Sequence, residues 1–348
     1  MNAKTLIHRP LFLITAVMLL MLCSAMSGQQ TQSYTQYMFN RYLLNPAACA
    51  SNGYTTVGLT VKDQWTGLKG APSNQVLSAQ IRWPKNGVFG TRGSSTAFGY
   101  AQGNVGVGIS LFNDTRGAIR TTGGQITYAY HFEIETGQLS LGLALNMFQL
   151  YIDRNNLVTE HPDAYLNGAK LNTLIPDALF GVHYTTPDWY AGVSIANLFQ
   201  SGNSSVYRTD RQYNVLGGYV ARMDEEWSFV PAVMVKFNDK LVAQADFNAL
   251  LYYTDFVWGG VAYRTGGGGV PGGVNAMIGF GYKNYSIGYS YDYTLASISR
   301  YAFGSHELMA TITLGQSERY FRHANVYKFK ATEGSGRLRG RNYGRWKW

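Results

Sequence analysis

The sequence predicts an all-β fold, a transmembrane antiparallel β-barrel of about 14 strands. Charged residues make up only 14% of the chain, where about 25% is usual for soluble domains. Glycine (40 residues) and tyrosine (26 residues) are abundant and proline (9 residues) is not, which is typical of β-rich chains. Beyond position 23, no run of about 18 apolar residues occurs, so helical membrane spans are excluded for the mature chain.

Residues 1–28 have the layout of a secretory signal peptide. Lys4 and Arg9 precede an apolar run at 11–23, and small residues follow it. An uncleaved membrane anchor is the alternative, but the apolar run is shorter than the about 20 residues that a spanning helix needs. Cleavage would leave Cys49 as the only thiol, so we expect no internal disulfide.

Residues 29–52 form a predicted N-terminal periplasmic or plug segment. Arg41 is its only charged residue. Its large apolar and aromatic side chains are Tyr34, Tyr37, Met38, Phe39, Tyr42, Leu43 and Leu44. A segment this apolar should not stay in water, so we expect it to pack inside the barrel or against a partner. Asn45-Pro46 is expected to end any helical turn.

Residues 53–316 carry the strand pattern of the predicted outer-membrane barrel. From Tyr285 to Thr294, odd positions are Tyr or Ile and even positions are small or polar, so a strand places the two sets on opposite faces. Other strands also fill the second face with Gly, Ser, Ala or Asn, which suits a barrel lumen better than the surface of a soluble sandwich. The fourteen predicted strands lie near 54–66, 74–83, 100–113, 118–132, 138–149, 177–186, 189–197, 211–222, 226–237, 240–252, 255–264, 272–283, 285–295 and 306–316.

The connections between the predicted strands differ in length. Those after strands 5, 7, 11 and 13 are long and most others are short, as expected for external loops and periplasmic turns of an outer-membrane barrel. The connections after strands 2 and 3 break this rule, so the strand count is open by one hairpin there. Aromatic residues near strand ends are expected to form interfacial girdles. They are Trp83, Tyr100, Tyr128, Tyr130, Trp189, Tyr190, Trp227 and Trp258.

Residues 317–348 form a predicted basic periplasmic C-terminal tail. The tail has a net charge of +7, and the whole chain has a net charge of +9. Because Lys4 and Arg9 supply the rest, the body of the chain is close to neutral, which excludes the basic surface of a nucleic-acid-binding protein. Arginine and aromatic residues are enriched at interfaces, so the tail is either a partner-binding segment or a solvated tail.

The sequence does not predict an enzyme, a metal site or a cofactor site. The histidines lack Cys, His or carboxylate partners at metal-ligand spacing. His306-Glu307 lacks the second histidine of a zinc protease, and the glycine run at 266–269 lacks the Lys-Ser/Thr of a phosphate loop. A Ser–His pair that includes His131 or His183 is the remaining catalytic alternative. Both histidines lie near predicted periplasmic strand ends, where a structural histidine is more common.

Four short motifs resemble a known family. They are Tyr37-Met38-Phe39-Asn40, Asn45-Pro46-Ala47, Gln64-Trp65-x-Gly67 and Gly70-Ala71-Pro72. Together they resemble the opening of the PorP/SprF family of type IX secretion system outer-membrane proteins of Bacteroidota, most sharply over residues 33–82. Two departures are Lys62, where the family usually has Arg, and Cys49-Ala50-Ser51, where an aromatic-Ala-Gly stretch is more usual.

The resemblance implies a non-enzymatic outer-membrane protein without cofactors. It implies a role in the secretion or surface attachment of specific cargo, such as gliding adhesins with type B C-terminal domains. The implied partners are outer-membrane lipid, other type IX secretion components and the C-terminal domains of the cargo. The implied partner-binding residues are Tyr37, Met38, Phe39, Asn40, Asn45, Pro46, Gln64, Trp65, Gly67, Gly70, Ala71 and Pro72.

An outer-membrane channel for hydrophobic or small solutes is the alternative function. It would be of the fatty-acid transporter type, whose members resemble this chain in barrel size and in an Asn-Pro-Ala sequence near an N-terminal plug. A transporter needs a continuous lumen or a lateral opening. A secretion component instead uses its surface loops and its periplasmic end to contact partners.

Overall fold

The computed structural model describes residues 34–83, 103–134, 137–153, 171–201, 209–224, 226–240, 243–254, 256–266 and 272–314. The predicted signal peptide (1–28) and basic tail (317–348) lie outside these residues and stay predictions. The strand segments are β1 (Thr55–Asp63), β2 (Ser73–Trp83), β3 (Val105–Arg116), β4 (Ile119–Ile134), β5 (Gly137–Ile152), β6 (Leu171–Thr185), β7 (Trp189–Ala196), β8 (Gln212–Tyr219), β9 (Ala221–Arg222), β10 (Trp227–Asn238), β11 (Ala243–Tyr253), β12 (Val257–Arg264), β13 (Gly273–Tyr282), β14 (Tyr285–Thr294) and β15 (Ser305–Leu314).

The strands close into an antiparallel barrel. Neighbouring strands pair in sequence order, and β15 pairs back to β1, from Thr55 opposite Leu314 to Asp63 opposite His306. Segments β8 and β9 flank Val220 and both pair with β10, so they form one barrel strand. The closed barrel therefore has 14 strands, which confirms the predicted fold class. We call the end that holds Thr55 and Leu314 the terminal end, and the opposite end the loop end.

The barrel wall has an apolar outer face and a filled lumen. Along β13, side chains alternate strictly between buried and exposed. Exposed positions on the wall carry large apolar side chains, such as Leu143 and Leu145 on β5 and Ile278 and Phe280 on β13. A continuous belt of this kind is stable against lipid and not against water. The main apolar core lies inside the barrel.

The observed strand β6 is longer than predicted. It begins at Leu171, whereas the sequence predicts a start near 177, because residues before Ala178 continue the ladder with β5. Pro176 lies within this extension, opposite Met147. The pairing of β6 with β7 covers only Phe180 to Thr185, so Pro176 has no β7 neighbour that would need its missing N–H group.

Two aromatic residues predicted for the interfacial girdles face inward instead. Tyr190 and Trp258 are buried in the lumen, whereas Trp227 is exposed on the outer face. The indole of Trp258 fits there because Gly279 has no side chain: a Cβ atom at Gly279 would lie 2.1 Å from the Trp258 ring. Tyr100 lies outside the described residues.

Leu143→Arg should destabilise the barrel by about 2–4 kcal/mol, because Leu143 is exposed on the outer face near the middle of β5. Ile134→Arg is the depth control. Ile134 is exposed at the last position of β4, near the terminal end, where an arginine costs only about 0–1 kcal/mol. Denaturant titration measures the loss of stability in both variants, with the fraction of protein that migrates as the fast, folded form in electrophoresis as the readout. Equal effects would contradict the placement of Leu143 in the lipid.

Candidate functional site

The N-terminal segment, residues 34–54, lies inside the barrel. It begins with a turn at 35–39, continues through the 3-10 turns Arg41–Leu43 and Pro46–Ala48, and leads directly into β1. Almost all of its residues are buried. The segment therefore forms the contents of the lumen rather than an extension of the wall.

Asn45 anchors the middle of the segment to two strands of the wall. Its Nδ2 donates to the carbonyl oxygens of Val182 on β6 (3.0 Å) and Val193 on β7 (3.2 Å). Its Oδ1 accepts from the backbone N–H of Ala47 (3.0 Å), and this contact caps the turn that Pro46 begins. One side chain thus sets both the local turn and its position against the wall.

Glycines on adjacent strands make room for this anchor. A Cβ atom at Gly142 would lie 2.2 Å from the backbone nitrogen of Ala47, and one at Gly181 would lie 2.0 Å from Asn45 Oδ1. Such distances are far below normal contact. Backbone therefore packs directly on backbone, which explains why these positions on β5 and β6 have no side chain.

Carboxylates on the last two strands hold the start of the segment. Glu307 accepts hydrogen bonds from the backbone N–H groups of Thr35 (2.8 Å) and Gln36 (2.9 Å). Asp292 accepts from the Thr35 hydroxyl (2.6 Å) and from Lys62 Nζ (2.9 Å), and Lys62 also pairs with Glu307 at 3.3 Å. We call Lys62, Asp292 and Glu307 the carboxylate clamp. It joins β1, β14, β15 and the N-terminal segment.

Side chains at the terminal end hold the last part of the segment. Arg82 on β2 donates to the carbonyl oxygen of Ala50 (3.2 Å) and to Gln138 Oε1 (2.8 Å), and Gln138 Nε2 donates to the carbonyl oxygen of Ser51 (3.2 Å). All four residues are buried. The segment is thus hydrogen-bonded at its start, middle and end.

A Ser–His contact lies beneath the segment. His131 Nδ1 is 2.7 Å from Ser140 Oγ, and both side chains are completely buried. His183 is also buried, next to Asn45 and Tyr190, and its ring nitrogens have no hydrogen-bond partner among the described residues. The wall and the segment keep solvent and substrates away from these rings, which suits a packing role better than nucleophilic catalysis.

The Trp65 loop lies at the loop end and is joined to a second loop. Thr66 N–H donates to the carbonyl oxygen of Gly304, and Phe303 N–H donates to that of Thr66, both at 2.9 Å. The Trp65 indole N–H donates to the Thr294 hydroxyl at 3.3 Å. Gly67, in the left-handed region (φ 95°), leaves space for the Phe303 ring, which a Cβ atom would approach to 2.7 Å. We call residues 64–72 and 295–304 the loop pair.

The loop pair exposes large apolar side chains. Tyr301 is 75% exposed and Phe303 is 77% exposed, the highest values among the large apolar residues that the structure describes. Leu295 is also exposed. The hydrogen bonds between the two loops hold these rings on a fixed backbone.

The predicted partner-binding residues fall into two separate groups. Tyr37, Met38, Phe39, Asn40, Asn45 and Pro46 lie in the lumen, and Gln64, Trp65, Gly67, Gly70, Ala71 and Pro72 lie in the Trp65 loop.

Tyr37 and Met38 are almost completely buried. Tyr37 accepts a hydrogen bond from Asn248 (3.0 Å), Phe39 packs on Trp258 and Asn40 donates to Ser78 (3.0 Å). The structure therefore does not bring the two groups onto one surface, and their role in binding partners stays a prediction.

Sequence reasoning missed the residues that hold the segment, among them Arg82, Asp292 and Glu307. A signal for the two carboxylates exists in the sequence. Each occupies an inward position on a strand whose outer face is apolar, and a charge there must have a partner inside the barrel.

The sequence matches the family described as "Type IX secretion system membrane protein PorP/SprF" over residues 26–312. This range covers most of the chain. The chain belongs to the PorP/SprF family. The resemblance to this family that the sequence motifs predict is confirmed. The family assignment together with the barrel fold also confirms the predicted location in the outer membrane. The family comprises membrane proteins of a secretion system and is not a class of enzymes.

Solved structures that this chain resembles include a toluene transporter and an outer membrane protein. The Ralstonia pickettii toluene transporter TbuX is 12% identical, with coverage of 83% of this chain and 95% of its own and a TM-score of 0.47. The Acinetobacter baumannii outer membrane protein Omp33 is 8% identical, with coverage of 75% and 99% and a TM-score of 0.42. These similarities are too low to bear on function. The comparison with curated proteins found no match to this chain.

The part of the chain that the structure describes contains no helix with the length and apolar character needed to cross a bilayer. It also contains no group of three or more His, Cys, Asp or Glu side chains placed to hold a metal ion.

Proposed function

We propose that this PorP/SprF barrel assists the secretion or surface attachment of specific cargo proteins through direct contact at its loop end. Family membership supports a role in type IX secretion. The observation that carries the proposal further is the loop pair, whose Tyr301 and Phe303 rings are exposed on a hydrogen-bonded backbone. Aromatic anchors on a fixed backbone are typical of protein-binding hot spots.

The orientation of the barrel supports the same proposal. Outer-membrane barrels have long external loops and short periplasmic turns. Most of the long connections of this barrel, including residues 295–304, are at the loop end, and the connection 84–104 between β2 and β3 is the exception at the terminal end. On this majority we place the loop end outside the cell. Cargo of the type B class and other secretion components are the proposed partners.

The solute-channel alternative has less support. Residues 34–54 occupy the lumen and hydrogen-bond to the wall at three levels. A solute would have to displace this segment to pass through. A contact role at the loop end leaves the segment in place.

Tyr301→Ala combined with Phe303→Ala should reduce the surface display of cargo by about tenfold or more. Each aromatic anchor is worth about 2 kcal/mol when buried in an interface, and 1.4 kcal/mol corresponds to a tenfold change in affinity. Surface proteomics on cells that carry the double variant measures the effect, with immunoblotting to confirm normal barrel levels.

Phe199→Ala is the matched control, because Phe199 is also exposed (62%) in a loop-end connection but lies outside the loop pair. It should leave cargo display unchanged. Normal cargo display in the double variant, at normal barrel levels, would contradict the proposal. An equal loss in the Phe199 variant would show that the effect is not specific to the loop pair.

A further inference from the structure

Two cations lie on ordered turns of the loop pair. Lys69 is exposed in the Trp65 loop, on a turn that is closed by a backbone hydrogen bond of 3.2 Å. Arg300 is exposed at the end of the 3-10 turn Ser297–Arg300, directly before Tyr301. Among the described residues, neither cation is in an ion pair. The loop pair contains no Asp or Glu, so it carries a formal charge of +2 next to its exposed aromatic rings.

The charges that surround the loop pair are balanced. The turn between β3 and β4 is joined to the Trp65 loop, because the Gly117 N–H group donates to the Gly70 carbonyl oxygen (3.0 Å). At the end of β3, Arg116 is paired with Asp114 (2.7 Å). The carboxylates of the carboxylate clamp are buried in the lumen beside a lysine and an arginine. These groups leave no net negative charge to offset the charge of the loop pair.

A row of polar residues separates the loop pair from the lipid-facing belt. The row runs in register across β15, β1, β2, β3 and β4 and consists of His306, Asp63, Ser73, Thr115 and Arg120. Closer to the terminal end, the same strands expose leucines on the outer face. The Trp65 loop connects Asp63 to Ser73, so the loop pair lies beyond the row and outside the hydrocarbon. Because Asp63 and Arg120 offset each other, the row has no net charge with which to bind lipid phosphate.

We propose that the loop pair binds an acidic segment of its cargo that also carries an apolar side chain. Carboxylates of this segment pair with Lys69 and Arg300, and the apolar side chain packs against Tyr301 and Phe303. Charge-assisted hydrogen bonds are stronger than neutral ones, and complementary charge selects the correct partner. This inference rests on the proposed contact between the loop pair and cargo, and it adds the chemistry of the partner.

The cations and the rings are expected to control different steps of binding. Charges at the rim of an interface steer the encounter, so they set the association rate and its dependence on salt. Buried aromatic anchors act mainly on the dissociation rate. Lys69→Glu combined with Arg300→Glu should therefore slow association and remove its salt dependence. Tyr301→Ala combined with Phe303→Ala should instead speed dissociation and leave the salt dependence of association unchanged.

The test uses the purified full-length mature protein in nanodiscs of neutral phospholipid. The probe is a purified cargo protein whose surface display falls in the Tyr301→Ala and Phe303→Ala variant. Surface plasmon resonance measures its association rate between about 0.1 M and about 1 M salt, a range over which the Debye length falls from about 10 Å to about 3 Å. The wild-type rate should fall about tenfold or more over this range. The charge-reversal variant should associate about tenfold more slowly than the wild type at the lower salt concentration.

Two further variants complete the comparison. Lys69→Gln combined with Arg300→Gln removes the charges without reversing them, and its association rate should lie between those of the wild type and the charge-reversal variant. Lys240→Glu is the matched control, because Lys240 is a half-exposed lysine in another loop-end connection. It should associate as the wild type does. If the charge-reversal variant does not reach the folded electrophoretic form, the variant with both glutamines carries the test.

The outcomes separate this inference from the proposed function. Association at the wild-type rate in the charge-reversal variant would overturn the acidic partner and leave the contact of the aromatic rings with cargo in place. An equal loss in the Lys240 variant would also overturn it, because the effect would then follow overall charge. A charge effect that appears only in nanodiscs with lipopolysaccharide would assign the cations to lipid phosphate and overturn it too. If no cargo protein loses display in the aromatic variant, the proposed function fails and this inference fails with it.

Discussion

Gly181→Ala is expected to displace the N-terminal segment from the lumen. The added Cβ atom would lie 2.0 Å from Asn45 Oδ1 and 3.1 Å from Pro46 Cδ. Strand β6 cannot move away, because it is paired with β5 and β7, so the segment has to yield. Overpacking costs about 1–3 kcal/mol, and each hydrogen bond that Asn45 loses adds about 1 kcal/mol.

The thiol of Cys49 reports this displacement. Cys49 is completely buried in the segment, and burial raises the pKa of its thiol well above the ordinary value, so the reactive thiolate is scarce. In the mature wild-type protein a maleimide should therefore react slowly. In the Gly181→Ala variant, a shift of about 3 kcal/mol toward the displaced state should raise the labelling rate about a hundredfold, since each 1.4 kcal/mol is a factor of ten.

Gly217→Ala is the matched control for this experiment. A Cβ atom at Gly217 would have its nearest neighbour at 3.4 Å, the carbonyl oxygen of Tyr190, so the change should be tolerated and labelling should stay slow. If Gly181→Ala also labels at the wild-type rate, the close packing of Asn45 on β6 is wrong.

Lys62→Met is expected to cost about 3–5 kcal/mol of barrel stability, because it leaves buried carboxylates without their cation. Lys62 Nζ lies 2.9 Å from Asp292 and 3.3 Å from Glu307, and the three side chains are at most 9% exposed. Arg264 is 3.7 Å from Asp292 and provides partial compensation for that carboxylate. Glu307 also holds the start of the N-terminal segment, so the loss should loosen the segment as well.

Denaturant titration of the folded electrophoretic form measures this loss, with two comparisons. Lys240→Met breaks an ion pair whose lysine side chain is half exposed and should cost about 0–1 kcal/mol. Lys62→Arg keeps the positive charge and should restore most of the stability. A Lys62→Met variant that is no less stable than Lys240→Met would contradict a structural role for the carboxylate clamp.

The barrel wall was predictable from sequence to within a few residues for most strands. Strand β14 is predicted at 285–295 and observed at Tyr285–Thr294. The reason is physical: lipid requires an apolar outer face on every strand, and each strand therefore carries a period-two pattern of its own. The pattern could be detected without knowing which strands are neighbours.

The direction of aromatic side chains near strand ends was not predictable in the same way. Tyr190 and Trp258 follow the period-two pattern but belong to the inward set. An aromatic ring is acceptable on either face near the membrane boundary, so residue type alone does not decide. Glycines on neighbouring strands decide it: Gly218 is in close contact with the Tyr190 ring and Gly279 with the Trp258 ring.

The position of the N-terminal segment in the lumen depends on residues that are far apart in sequence. Its apolar character predicts that it is shielded from water, either in the lumen or by a partner. Its register, however, depends on Gly142, Gly181 and the carboxylate of Glu307, which come together only when the barrel closes. Periodicity within one strand carries no information about such an arrangement.

The contact between Thr35 and Glu307 also constrains the order of assembly. These residues are 272 positions apart, and β1 can pair with β15 only after the last strand is available. Contacts of such high sequence separation are slow to form, because the entropy of closing a long loop is lost before they contribute. The N-terminal segment is therefore expected to acquire its full hydrogen bonding last, as β15 joins β1. A chain that lacks β15 also lacks Glu307, so the start of its N-terminal segment would not have this hydrogen bond. Formation of the contact between Thr35 and Glu307 therefore marks the completion of folding.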